Sequence, residues 1–307
     1  MKVFGPVPSR RLGRSLGVNN IPTKFCTYSC VYCQLGRSIL TVERREFFKP
    51  DDIFREVERR IESVKDVDYI TFVPEGEPTL DVNLGIEIDL LKEFGIEIAV
   101  ITNSSLIWRR DVRDDLMKAD LISLKIDAID KKIWKSINRP HGTLRLEEIL
   151  NGISEFANDY SGKLITETMV VSGLNDSTSN LKGIAEFLSE VEPIKAYISI
   201  PIRPPAERWV KAPSEEVLIK AYQIFKEHLD EVELLTGYEG EGFAVVGDLR
   251  DEILRITSVH PIRKKTLEEL IKKAKGDWSV VEELLASGEL IEVEYRGDLF
   301  YIRRGKP

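Results

Sequence analysis

Lys24-Phe-Cys-Thr-Tyr-Ser-Cys-Val-Tyr-Cys-Gln34 holds all three cysteines of the 307-residue chain, Cys26, Cys30 and Cys33, in one CxxxCxxC loop. Three thiolates on a short loop suit a cubane [4Fe-4S] cluster, with one iron left open for a ligand from outside the protein. Structural zinc prefers four closed ligands, and His141, His228 and His260 are all remote in sequence. A disulfide framework is a poor match for an odd, tightly spaced set, and Met1-Lys-Val-Phe-Gly-Pro6 shows no charged-then-apolar export signal. The cluster is therefore the favoured reading and zinc the alternative.

Outward from the loop, β-branched apolar runs alternate with helical patterns from residue 16 to about 246. Strands are expected near Leu16 to Ile21, Tyr69 to Val73, Glu97 to Ile101, Leu121 to Ile126, Leu164 to Val170 and Ala196 to Ile200. Helices are expected near Asp51 to Val64, Asp111 to Lys118, Leu146 to Tyr160, Thr178 to Glu190 and Ser214 to His228. Six such βα units make an α/β chain with a partial (β/α)6 TIM-type barrel over residues 1–246. Chemistry in such barrels sits at the C-terminal ends of the strands. The cysteine loop follows the first strand, Glu75-Gly-Glu-Pro78 the second, Asn103 the third, and Lys125 to Asp127 close the fourth.

Residues 251–307 differ in kind. Thr266-Leu-Glu-Glu269 and Ser279-Val-Val-Glu282 read as capping boxes that open two short helices. Leu290 to Tyr295 and Leu299 to Arg303 flank the turn Arg296-Gly-Asp298 as a hairpin, which suggests a small winged-helix-like domain. Gly240, Gly242 and Gly247 mark the expected junction.

Charged residues make up 31% of the chain, against about 25% in ordinary domains, and Met, Cys and Gln are scarce, a balance that hints at a hot environment. No run of about 18 apolar residues occurs, so no membrane span is expected, and the setting expected for an oxygen-sensitive cluster is the reducing cytoplasm. The formal net charge of -8 argues against a surface built wholly for nucleic acid. Residues 1–49 nevertheless hold nine Lys and Arg against Glu43 and Glu46, so basic charge gathers near the cysteine loop.

The loop, including Tyr32 before its last cysteine, resembles the signature of the radical S-adenosylmethionine (SAM) superfamily. Phe72-Val-Pro-Glu-Gly-Glu-Pro-Thr-Leu80 resembles its GGEP segment, with Glu75 where a second glycine is usual, and Leu121-Ile-Ser-Leu-Lys-Ile-Asp127 resembles its ribose- and carboxylate-binding strand. The resemblance covers roughly residues 1 to 246, with the motifs in the expected order. It implies that Cys26, Cys30 and Cys33 ligate the [4Fe-4S] cluster and that SAM chelates the open iron. An external one-electron donor, a ferredoxin or flavodoxin, reduces the cluster, and cleavage of SAM yields a 5′-deoxyadenosyl radical that abstracts hydrogen from substrate.

The same resemblance assigns SAM contacts to Tyr32, Glu75, Gly76, Glu77, Asn103, Ser123, Lys125, Asp127 and Glu167. Gly76 would permit close backbone approach to the ligand. Ser123, Lys125 and Asp127 alternate, so a strand would turn all three to one face, where Lys125 and Asp127 could also pair with each other. Asn103 could equally serve an Asx turn, and Met169, on the Glu167 face, core packing. Arg10, Arg11, Arg14, His141 and Arg203 are substrate candidates, because the arginine fork suits phosphate or carboxylate.

No cysteine remains for an auxiliary cluster, so a stand-alone, single-cluster enzyme is expected. Its pattern resembles the wyosine-synthase-like group, although tRNA wyosine synthases use a second cluster. RNA (tRNA) modification, with the winged helix docking the RNA, competes with peptide or protein modification, including glycyl-radical activation. An iron-sulfur sensor is the non-enzymatic alternative. Residues 251–307 contain eleven basic and eleven acidic side chains, which gives the RNA reading no support from that end.

Overall fold

The computed structural model describes residues 2–22, 24–64, 66–237, 248–259 and 261–304. Gly240, Gly242 and Gly247, the expected junction, lie outside the described residues.

An N-terminal hairpin, β1 (Val3–Ser9) against β2 (Gly13–Val18), opens an eight-stranded sheet. Two-residue strands β3 (Phe25–Cys26) and β4 (Ile39–Leu40) pair within the cysteine loop. Beyond β2 the sheet continues through β5 (Tyr69–Phe72), β6 (Glu97–Thr102), β7 (Leu121–Lys125), β8 (Lys163–Met169), β9 (Lys195–Ser199) and β10 (Val232–Leu235), each parallel to its predecessor. Strands that add in chain order wind the sheet one way, and here they curl it into a partial TIM-type barrel. The six expected strands are present; β1 and β10 extend the sheet by one strand at each edge.

Helices α1 (Pro50–Ser63), α2 (Leu84–Leu91), α3 (Arg110–Leu116), α4 (Lys131–Ile137), α5 (Leu146–Asp159), α6 (Thr178–Val191) and α7 (Glu215–His228) cover the outer face. Local signals set their starts. Pro50 opens α1, followed by Asp51 and Asp52 in the first turn, while Ser177 and Ser214 accept from the backbone N–H groups of Asn180 and Val217 to cap α6 and α7.

Alternation along the strands decides what the barrel's lumen contains. Ala99, Leu121, Ile165, Tyr197 and Leu235 form an apolar plug. Two residues further along β7, β8 and β9, on the same face, stand Ser123, Glu167 and Ser199, with Lys125 after Ser123. The strand period of two thus carries each inward row from an apolar floor to a polar upper layer.

The C-terminal elements are α8 (Leu249–Val259), β11 (Ile262–Arg263), α9 (Lys264–Lys273), α10 (Ser279–Ala286), β12 (Leu290–Tyr295) and β13 (Asp298–Arg303). Their antiparallel sheet has the order β11-β13-β12, and Ile253, Ile256, Leu267, Leu284 and Tyr301 contribute to a separate core. The expected hairpin is present, its turn taking two residues, Arg296 and Gly297 at φ 55° and 81°, because Asp298 already pairs with Tyr295. The two capping boxes are corrected. Helix α9 begins two residues before Thr266, which is buried inside it, and the N–H of Ser279 is capped by Asp277 Oδ1 at 2.7 Å rather than by a Ser279–Glu282 box.

Candidate active site

The cysteine loop is held chiefly through its main chain. Lys24 N–H donates to the Glu75 carbonyl at 3.2 Å, Glu77 N–H to Phe25 at 3.1 Å, Val31 N–H to Ile137 at 2.9 Å and His141 N–H to Thr27 at 2.9 Å. Gly76 is demanded by this packing: a Cβ there would lie 1.8 Å from the Phe25 carbonyl oxygen. Its close approach is to the loop's backbone, a nearer cause than the ligand contact expected from sequence.

All three thiols are free and face a cavity of about 320 Å³ at the strand ends. Burial raises their pKa values, to about 12 for Cys30, so the protein alone disfavours thiolates there. A bound cation reverses that balance, which is what a metal-binding set of thiols requires. Asn103 Nδ2 reaches Cys26 Sγ at 3.4 Å and Asn138 Nδ2 reaches Cys30 Sγ at 3.5 Å, both as donors. Among the described residues no three His, Cys, Asp or Glu side chains are grouped to hold a single metal ion. A cubane differs in presenting a separate iron to each thiolate, so this donor set fits the cluster better than mononuclear zinc.

Tyr32, Gly76, Glu77, Asn103, Ser123, Lys125 and Glu167 line the cavity with the cysteines. Glu167 is its electrostatic centre: Oε1 accepts from Lys125 Nζ at 2.8 Å and from Ser199 Oγ at 2.8 Å, and Oε2 pairs with Arg11. Burial works to raise the Glu167 pKa, but Lys125 and Arg11 prevail and hold the carboxyl well below its usual range. Burial works to lower that of Lys125, and Glu167 and Asp127 override it, so the ammonium is held charged. Two cations around one carboxylate leave this group of three side chains one positive charge in surplus.

Glu77 joins the second motif to the third strand. Its carboxylate is buried and accepts from Thr79 Oγ1 at 2.7 Å, Thr102 Oγ1 at 2.6 Å and Asn103 N at 2.8 Å. Asn103 makes the Asx turn, Oδ1 accepting from Ser105 N–H at 3.0 Å, while Nδ2 donates to Thr27 Oγ1 at 2.8 Å in the cysteine loop.

Two expected cofactor contacts lie elsewhere. Glu75 is turned away and exchanges hydrogen bonds with Asn19, at 2.9 and 3.2 Å. Asp127 lies past the end of β7, and its carboxylate accepts from Tyr32 OH, from Asn138 Nδ2 at 2.7 Å and from Met169 N–H at 2.8 Å. It fastens the cysteine loop to the barrel and does not line the cavity, and Lys125 pairs with Glu167 in its place.

Among the substrate candidates, Arg10, Arg11 and Arg203 line the cavity. Arg203 Nη1 donates to Gln34 Oε1 at 3.0 Å, and Arg10 Nη2 to the Leu234 carbonyl at 2.9 Å. Arg14 and His141 do not. Arg14 extends toward Asp66, at 3.9 Å, and His141 Nδ1 lies 2.9 Å from Thr143 Oγ1. The basic surplus of residues 1–49 is also largely neutralised: Lys2 pairs with Asp52 and Glu56, Arg10 with Glu233, Arg11 with Glu167, Arg37 with Glu207 and Arg44 with Asp111 and Asp115.

Sequence reasoning missed Ser199 and Asn138. Ser199 could have been found, since it lies near the end of the sixth expected strand, on the lumen face; Asn138 lies between a short helix and a proline and carries no local signal.

Comparison with known proteins gives consistent results. The model of the radical SAM superfamily matches residues 20–188. A UPF0026 protein of Methanocaldococcus jannaschii is 49% identical over 308 residues, covering 99% of this chain and 96% of its own length. A probable dual-specificity RNA methyltransferase RlmN of Thermotoga sp. is 26% identical over 249 residues, or 76% of this chain and 68% of that protein. The structure of TYW1 with a lysine-pyruvate adduct bound aligns at a TM-score of 0.55 and 15% identity, over 70% of this chain and 74% of that one, a likeness of fold.

Proposed function

Because the chain belongs to the radical SAM superfamily, in its UPF0026 group, we propose that the cavity beside Cys26, Cys30 and Cys33 brings SAM together with an RNA substrate. The protein is an enzyme of the superfamily whose members use a [4Fe-4S] cluster and SAM. When bound, that pair supplies reductive cleavage of the sulfonium and removal of hydrogen from substrate.

The chain's own residues supply position and charge. The three cysteines hold the cluster, with Asn103 and Asn138 donating to two of the sulfurs. The surplus positive charge shared by Lys125 and Arg11 over Glu167 would hold the methionyl carboxylate, and Ser123, in the same lining, would hold a ribose hydroxyl. Val73, Ile101 and Ile200 line the cavity between these polar groups and shield it from water. The electron comes from an external ferredoxin- or flavodoxin-class donor.

The observation that carries the RNA reading is that Arg10, Arg11 and Arg203 share one cavity with the thiols, where planar forks can grip phosphate and stack on bases. The likeness to an RNA methyltransferase over 76% of the chain supports it. Bulk tRNA affinity measured at two salt concentrations tests it: binding should weaken steeply with salt, and tRNA that fails to bind at low salt removes the reading.

A polypeptide substrate is favoured by a different feature. The helix–strand–helix–helix–hairpin order of α8 to β13 supports the winged-helix assignment, and β12 stands at the sheet edge with Ile291 38% exposed, a place where an extended peptide could add a strand.

A further inference from the structure

A second cavity, of about 260 Å³, lies on the other side of the cysteine loop, between the N-terminal strands and the C-terminal elements. Leu35, just after the last cysteine, lines both cavities. Four cations line the second: Lys24 from the start of the loop, Arg255 from α8, and Arg303 and Arg304 from the end of β13. Among the described residues Glu75 is the one carboxylate in the lining, and Asn19 Nδ2 donates to it.

Among the described residues these cations are at most partly neutralised. Arg255 comes within 3.6 Å of Glu252, but that carboxylate is already gripped by both terminal nitrogens of buried Arg60. The Arg255 Nε is buried with no acceptor among the described residues. Arg303 donates to a neutral group, the Leu254 carbonyl, at 3.4 Å. Among the described residues no carboxylate pairs with Lys24, Arg303 or Arg304. Like charges gathered in a cleft repel one another, and an anion that enters relieves that repulsion. The arginine forks and the lysine point charge match the several oxygens of a phosphate better than a lone carboxylate.

We propose that this cavity binds a phosphate group and, through Lys24 and Leu35, couples its occupancy to the cysteine loop. The ligand is a phosphate ester, either a small molecule or a backbone phosphate of nucleic acid. The site is distinct from the SAM cavity and stands even if the substrate of that cavity is a polypeptide.

Calorimetric titration of the full chain at low salt, with inorganic pyrophosphate and separately with a short 5′-phosphorylated oligouridylate, tests this. One saturable site per chain is expected. Arg304→Gln, at an exposed position, should weaken binding about tenfold, and Arg255→Gln combined with Arg304→Gln further still, with the salt slope falling by about one for each arginine removed. Pyrophosphate that displaces the oligonucleotide places a backbone phosphate in the cavity; pyrophosphate that binds without displacing it indicates a small phosphate ester. Absence of saturable binding by either probe, or binding unchanged in the folded Arg304→Gln protein and in the double variant, overturns the proposal.

Discussion

Arg60 on α1 and Glu252 on α8 form a two-pronged ion pair, Nη1 to Oε2 at 3.0 Å and Nη2 to Oε1 at 2.5 Å, with side chains only 5% and 0% exposed. The Arg60 Nε also donates to the Gly5 carbonyl at 2.6 Å, so one guanidinium joins the N-terminal hairpin, a barrel helix and the C-terminal elements. A buried charge that loses its partner is costly. Glu252→Gln should therefore reduce stability by about 3–5 kcal/mol in denaturant unfolding. Arg60→Met in that background should recover much of the loss, and an unchanged unfolding midpoint in Glu252→Gln would show that the pair is not holding the units together.

The cysteine loop should be sensitive to a single methyl group. Gly76→Ala places a carbon against the Phe25 carbonyl, whereas Gly142→Ala meets nothing within 4 Å. After anaerobic reconstitution, iron and sulfide should fall to background in Gly76→Ala and in Cys30→Ala and stay at the parent level in Gly142→Ala. Full iron in Gly76→Ala would mean that the loop does not need that backbone contact.

Lys125 and Asp127, two residues apart, should fail in different ways. Lys125→Ala removes a charge from the cavity wall and should weaken SAM binding by about 1–3 kcal/mol with cluster content kept. Asp127→Ala unfastens Tyr32 and Asn138 and should lower cluster content first. If both variants changed only SAM affinity, Asp127 would belong to the cavity after all.

Glu87 and Asp81 give the fold a pH dependence. Burial first, and the charge of Asp81 second, push Glu87 up to about 9, and burial pushes Asp81 up to about 7. Glu87 Oε1 and Asp81 Oδ2 have no hydrogen-bond partner among the described residues. Unfolded carboxyls titrate near pH 4, so between about pH 4 and 9 the folded state holds more protons than the unfolded one, and stability declines as pH rises. Glu87→Gln should flatten that decline and raise stability at pH 8 by roughly 1–3 kcal/mol. A slope of stability against pH equal to the parent's would refute the assignment.

The residues that announce themselves in sequence are those whose chemistry is local. The cysteines, the Glu75-Gly-Glu-Pro78 turn and the alternating strand of Ser123 and Lys125 each carry their signal within a few positions. What escaped depends on partners far along the chain. Lys125 was weighed against Asp127, on its own chain segment, yet its partner is Glu167, which lies directly across from it in the β7–β8 register. Register is set by how whole strands pack and is invisible in either strand alone. Helix α2 was missed because Leu-Gly-Ile-Glu-Ile-Asp-Leu-Leu presents apolar residues on too many sides for a clean stripe, and β10 because four residues are too short for alternation to show. Charge counts misled for a related reason. The C-terminal elements are neutral in sum, but Arg255, Arg303 and Arg304 collect on one side of them.

The thiols owe their placement chiefly to peptide groups: N–H and C=O atoms of Lys24, Phe25, Thr27 and Val31 tie the loop to the segment after β5, to the end of α4 and to the segment after α4. Peptide groups are the same whatever residue bears them. Wall residues that fasten nothing in the loop, such as Val73, Ile101 and Ile200, can therefore be exchanged to reshape or recharge the chamber while the sulfurs stay where they are, so this scaffold can be retuned toward new molecules without rebuilding the part that handles electrons.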